Sequence, residues 1–249
     1  MKLMVWCDGR VVEASEFRLT APYILHRIHT FEYKTFNLSR HIHLMRSASM
    51  SLFGFASLCR AEDAEHIIEQ LLRLSRVSPN FSCTIAMRLN SLGELSFEVE
   101  ESSYYSGFAL RVKRPKGVLL TAPQPEYISQ NTITLALDAM YDARVHGRGD
   151  VAVLVDENEE LISRPWQPIF VVYNNRFYTP TAYETVEYVT TAEAICKAGY
   201  QLTIRPIPVN SLMRMDEIFT ADTTGITSLS KIADHSLFSV AAALIVDYM

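Results

Sequence analysis

The sequence predicts an α+β fold with largely antiparallel sheets, on three patterns. Short alternating runs meet across tight turn signals: Phe81–Leu89 and Leu95–Val99 flank Asn90–Glu94, and Pro168–Tyr173 and Arg176–Thr179 flank Asn174-Asn175. Two helical patterns lie side by side in the first half, about Asn37–Ala56 and Ala61–Arg76. Strands and helices do not alternate regularly, so a doubly wound parallel sheet is not expected.

The elements follow in order. Met4–Trp6 is a short strand, and Asp8-Gly9 signals a hairpin turn before Val11-Val12. Tyr23–Thr30 is extended. Asn37 or Ser39 can cap the first helix, which places Ile42, Met45, Ala48, Leu52 and Phe53 on one face. The second helix opens on Glu62 and Asp63 and closes on Arg73 and Arg76, a charge order that suits its dipole. The hairpin over Phe81–Val99 and a strand at Phe108–Val112 complete a smaller N-terminal domain, 1–110. Arg114–Glu126 holds three prolines and one glycine, so 111–126 is expected to connect two domains. The C-terminal domain, 127–249, starts with a helix at about Asn131–His146, closed by Gly147. Strands are expected at Asp150–Val155, Leu161-Ile162, Pro168–Tyr173 and Arg176–Thr179. A helix near Glu184–Ala198, ended by Gly199, comes next. Strand Gln201–Arg205, a short helix near Asn210–Met215 and strand Glu217–Thr220 follow.

Composition narrows the function classes. The 249 residues are 49% apolar and 20% charged, enough for a sizeable core. A net charge of −5 gives no footprint for nucleic acid, and the basic cluster Arg111–Lys116 reads as a solvated strand end. Met1–Arg10 lacks the apolar core of a signal peptide. Ser236–Val246 is apolar but too short to span a membrane, and is expected in the core. Cys7, Cys59, Cys83 and Cys196 are far apart, which suits reduced thiols and a cytoplasmic location.

No hydrolase signature such as Gly-x-Ser-x-Gly occurs, and the nine glycines form no phosphate-binding loop. His26 and His29 lie on one strand, and His41 and His43 on the next helix. Their spacings put each pair on opposite faces, so no metal site is expected. Tyr104-Tyr105 and Trp166 could stack on a ligand, although packing is the commoner use of aromatic rings.

Phe36-Asn37-Leu38-Ser39-Arg40-His41, running on to Arg46-Ser47-Ala48, resembles the class IV aminotransferases, fold type IV of the pyridoxal-phosphate (PLP) enzymes. That family includes branched-chain and D-amino-acid aminotransferases and 4-amino-4-deoxychorismate lyase. Cys7-Asp8-Gly9-Arg10, Asn131 with its Ala-rich helix, the strand ending at Asp156, Phe170, Tyr178-Thr179-Pro180, Asp216–Phe219 and Gly225-Ile226 follow the family order. The resemblance implies a two-domain protein, a cofactor cleft between the domains and an isologous homodimer.

It also implies a lost chemical centre. No lysine occurs between Lys116 and Lys197, where the family's Schiff-base lysine belongs; Ile128 holds its aligned position. The phosphate-binding arginine aligns with Leu44, and the glutamate on the pyridine nitrogen with Ser163. The asparagine before Phe is replaced by Pro168, and the Gly-Ile-Thr-Arg turn aligns with Thr185–Tyr188. Thr223 and Thr224, within Asp222–Gly225, align with the Gly-Thr loop that holds phosphate, where Asp222 would repel an anion. Without the lysine there is no internal aldimine, and without the carboxylate the electron sink weakens. The expectation is therefore a homologue without PLP that binds a small ligand or a protein partner. A cleft on which His26, Arg27 and Thr223 converge would instead favour a repurposed enzyme of amino-acid or chorismate-derived metabolism. A displaced lysine such as Lys116 would favour residual PLP use.

Overall fold

A computed structural model describes residues 3–19, 21–103, 107–121, 139–141, 143–147 and 149–249, with backbone alone at 101–103. These residues divide into two compact units, one up to Gly107 and the other from Phe108 onward.

The first unit is a six-stranded antiparallel sheet under two helices. Its strands are β1 (Met4–Cys7), β2 (Arg10–Glu13), β3 (Tyr23–Phe31), β4 (Lys34–Thr35), β5 (Ser82–Asn90) and β6 (Leu95–Ser103), in the order β2-β1-β6-β5-β3-β4. The β1–β2 turn needs left-handed backbone, which Asp8 (φ 43°) and Gly9 (φ 83°) supply. Helix α1 (Leu38–Phe53) begins after Asn37, whose own backbone is left-handed (φ 56°), and no side chain caps it. It stops at Gly54 rather than Ala56, because Gly54 turns left-handed (φ 78°) and returns its N–H to Met50. Its buried stripe is Leu38, His41, Ile42, Met45, Ala48 and Ser49; Leu52, expected inside, is exposed. Helix α2 (Ala61–Leu74) packs Ala64, Ile68, Leu71 and Leu72 into the same core as Ile24, Ile28, Ile85 and Phe97.

The second unit holds two sheets. One runs β12-β11-β10-β13-β14-β7, with β7 at Ala109–Leu110, β10 at Ile169–Tyr173, β11 at Arg176–Thr179, β12 at Leu202–Ile204, β13 at Glu217–Asp222 and β14 at Gly225–Ser228. The other runs β16-β15-β8-β9, with β8 at Lys116–Thr121, β9 at Val151–Val155, β15 at Lys231–Ile232 and β16 at His235–Ser236. Helix α3 (Val186–Lys197) closes at Gly199 (φ 85°), and helix α4 (Val240–Val246) lies near the C-terminus. Phe170, Phe177 and Phe219 pack under these helices with Ile195 and Ile245.

Several expectations change. Stretch 111–126 was expected to connect domains, but it contributes β8. The glycine that reads as a breaker, Gly117, is a packing residue: a Cβ there would sit 3.0 Å from Leu229 and Val153. Only Ala109–Leu110 of the Phe108–Val112 strand pairs, and Leu161 makes an isolated bridge to Val155. Ser236–Val246 is half core: Leu237, Ala242 and Ile245 are buried, whereas Phe238, Val240 and Leu244 are exposed. The helix expected from Asn131 is seen at 139–141 and 143–145; Asn131, Ile128 and Tyr104-Tyr105 lie outside the described residues. No helix among the described residues is long and apolar enough to cross a membrane.

Candidate functional site

In the first unit, β3 alternates its side chains between two faces, so the neighbours His26 and Arg27 point apart. They do not converge as a cleft pair. His26 faces α1, where its Nδ1 lies 3.4 Å from the Nδ1 of His41, ring against ring edge. One imidazole must donate and the other accept. Burial holds the pKa of His26 down, to about 4. Burial holds His41 well below 6.5 as well, reinforced by His26 and Arg40. The Nε2 of His41 is buried without a hydrogen-bond partner. Arg27, on the other face, donates from Nε to Glu100 at 2.8 Å. Arg88 joins it by donating to Glu98 (2.6 Å) and Glu100 (3.1 Å), so Arg27 belongs to a charge ladder across β3, β5 and β6. Leu44 is half-buried on α1 and offers an anion no donor. His29 is buried against the ring of Phe36, and His43 is exposed.

The second unit carries the other expected positions. Ser163 is 1% exposed in the loop between β9 and β10. Its Oγ accepts the Ile169 N–H at 3.1 Å, and its carbonyl accepts the Tyr183 hydroxyl at 2.8 Å. Thr185 ties the same loop to α3 by donating to the Pro165 carbonyl at 2.6 Å. The loop is therefore laced to its own surroundings.

The β13–β14 hairpin is laced in the same way. The Asp222 carboxylate accepts the Thr224 N–H (2.8 Å) and the Thr224 hydroxyl (2.9 Å). Arg111 reaches the Thr224 hydroxyl and lies 3.5 Å from the carboxylate. Thr223 and Thr224 are each 9% exposed. Gly225 (φ +140°) permits the hairpin: a Cβ there would fall 2.1 Å from the Ala109 carbonyl of β7. The basic cluster is thus not a solvated strand end. Arg111 neutralises Asp222, and Arg114 donates to the carbonyls of Leu229, Leu237 and Phe238. Only the lone Asp222, with no nearby basic residue in sequence, signalled a distant cation.

A pocket of about 50 Å³ opens beside these elements, lined by residues of β9, β10, β13, β14 and the Ser163 loop. Arg164 lines it, donating from Nη1 to Gln167 Oε1 at 3.3 Å, while its Nη2 is buried without a partner. Sequence reasoning missed Arg164 as a site residue. Its one signal is a cation in a run, Leu161–Phe170, that holds no acid.

Ser163 and the Asp222 hairpin are a poor match to a protonated pyridine and a phosphate. A pyridinium needs a carboxylate, and Ser163 supplies a hydroxyl already accepting a backbone N–H. A phosphate needs cationic or N–H donors, and the hairpin presents a carboxylate whose counter-charge is already Arg111.

The fold nevertheless has clear relatives. A branched-chain aminotransferase of Thermoproteus uzoniensis, solved with norvaline, is 17% identical, covers 100% of this chain and 94% of its own, and has a TM-score of 0.80. An aminotransferase of Brucella abortus bound to PLP is 14% identical, with coverages of 100% and 99% and a TM-score of 0.81. A branched-chain amino acid aminotransferase of Escherichia coli is 13% identical, with coverages of 95% and 88% and a TM-score of 0.76. No curated protein sequence gives a match. The family model for amino-transferase class IV matches residues 26–232. With that match over most of its length, this α+β chain belongs to the class IV aminotransferase family.

Proposed function

We propose that this chain is a class IV aminotransferase homologue that works without PLP, binding a small ligand or a protein partner near the former cofactor site. One observation carries the reading: the whole span 117–196 contains no lysine, so no choice of alignment there supplies an amine for a Schiff base. The surroundings support it. Leu44 offers no phosphate donor, Ser163 no carboxylate, and Asp222 places negative charge in the hairpin that aligns with the phosphate loop. His26 and Arg27 lie on opposite faces of β3 and Arg27 is paired, which weighs against the repurposed catalytic cleft.

The alternative is an enzyme of amino-acid or chorismate-derived metabolism that uses a displaced lysine. Lys116, which sits opposite Lys231 in the β8–β15 pairing, is a candidate of that kind. The test is an absorption spectrum with added PLP, borohydride reduction and intact mass. We expect PLP to wash away with no adduct. A stable mass increase of one reduced PLP would overturn the proposal and locate the lysine. A cytoplasmic homodimer is part of the same reading, and sedimentation velocity checks the dimer.

A further inference from the structure

We propose that the pocket beside Ser163 binds a small aliphatic monocarboxylate, with the carboxylate seated on the Arg164 guanidinium. This names the ligand class for the site and rests on the ligand-binding reading above.

The argument begins with an uncompensated charge. Arg164 makes no ion pair among the described residues; its only hydrogen bond is to the neutral Gln167, and Nη2 is buried with no partner. Burial disfavours its charged form, yet an arginine keeps its proton at neutral pH. A buried cation that cannot neutralise itself is relieved by an anion. The two nitrogens of a guanidinium edge match the two oxygens of a carboxylate.

The rest of the pocket selects the kind of anion. Thr220 and Thr227 are direct partners across β13 and β14, both line the pocket, and neither hydroxyl bonds another described residue. They can complete the oxygen shell of a carboxylate. Apart from Gln167, already engaged by Arg164, the remaining walls are apolar, Val153 and Leu229 among them. A single cation with apolar walls suits a monoanion with a short hydrocarbon tail and disfavours a hydrated dianion. A volume of about 50 Å³ exceeds the need of one water and suits a carboxylate with a short stem.

The probe is isobutyrate, titrated calorimetrically into the full chain, with its neutral isostere isobutyramide and inorganic phosphate alongside. Isobutyrate is expected to bind saturably and raise the melting temperature, with the amide and phosphate at least about tenfold weaker. Arg164→Met replaces a half-buried cation that has no ion pair with an apolar side chain, so it should fold and lose at least about tenfold in isobutyrate affinity. Equal binding of amide and acid, undiminished binding to a folded Arg164→Met, or no saturable isobutyrate binding would each overturn the proposal. The acid–amide comparison needs no variant, so it decides even if the substitution fails to fold. A reduced PLP adduct would overturn the ligand-binding reading itself, whereas absent isobutyrate binding without an adduct overturns only the ligand class.

Discussion

His26 and His41 occupy a space that resists charge, and this gives the first unit a defined response to acid. Both pKa values are depressed in the folded state, that of His26 to about 4 from 6.5. The unfolded chain therefore binds protons more readily in that window. The contribution is fully present above pH 6.5 and is lost as pH falls toward about 4. The melting temperature of the wild type should drop across that range, and His26→Leu should flatten the drop; an unchanged slope in the variant would refute the assignment. Sequence spacing correctly separated His26 from His29 and His41 from His43. It could not show His26 meeting His41, because that contact depends on how α1 lies across β3.

At the scale of elements, two joints carry testable loads. The buried Glu217 carboxylate accepts the Ala241 N–H (2.7 Å) and the Ala242 N–H (3.0 Å), which fastens the start of α4 to β13. Glu217→Gln keeps the shape but removes the charge, and should cost about 1–2 kcal/mol in urea unfolding. Gly225→Ala drives a methyl into the Ala109 backbone at a left-handed position, and a loss of order 3 kcal/mol is expected from the same measurement. Strand and helix periods were legible because they are local: the β5–β6 hairpin and helices α1, α2 and α3 stand close to where alternation, helical period and glycines place them. Stretch 111–126 misled because composition cannot separate a glycine that breaks a strand from Gly117, which makes room for Leu229 and Val153. Arg111 and Asp222 are distant in sequence, so their pairing had no local signature.

At the scale of the whole molecule, the family assignment and the α+β class were legible because many short matches occur in one order along the chain. The residue types at Ser163 and Asp222 were legible in the sequence; their couplings to Tyr183 and Arg111, distant along the chain, were not. Those couplings predict that Ile128→Lys alone will not restore a cofactor. The aligned positions would still hold Leu44 in place of an arginine and Ser163 in place of a carboxylate, and Asp222 would keep its charge in the hairpin. Borohydride reduction should trap no stoichiometric adduct, and a full-occupancy adduct in that variant would show that these positions do not bar the cofactor.

The Ser163 hydroxyl adds a directional consequence. It satisfies the Ile169 N–H from inside a sealed loop. Replacing it with glutamate would strand that N–H and bury a new charge before any cofactor stood by to compensate either, a step of roughly 1–3 kcal/mol uphill for the orphaned donor alone. An acid at this position thus weakens the loop on its own account, whatever the neighbouring pocket holds.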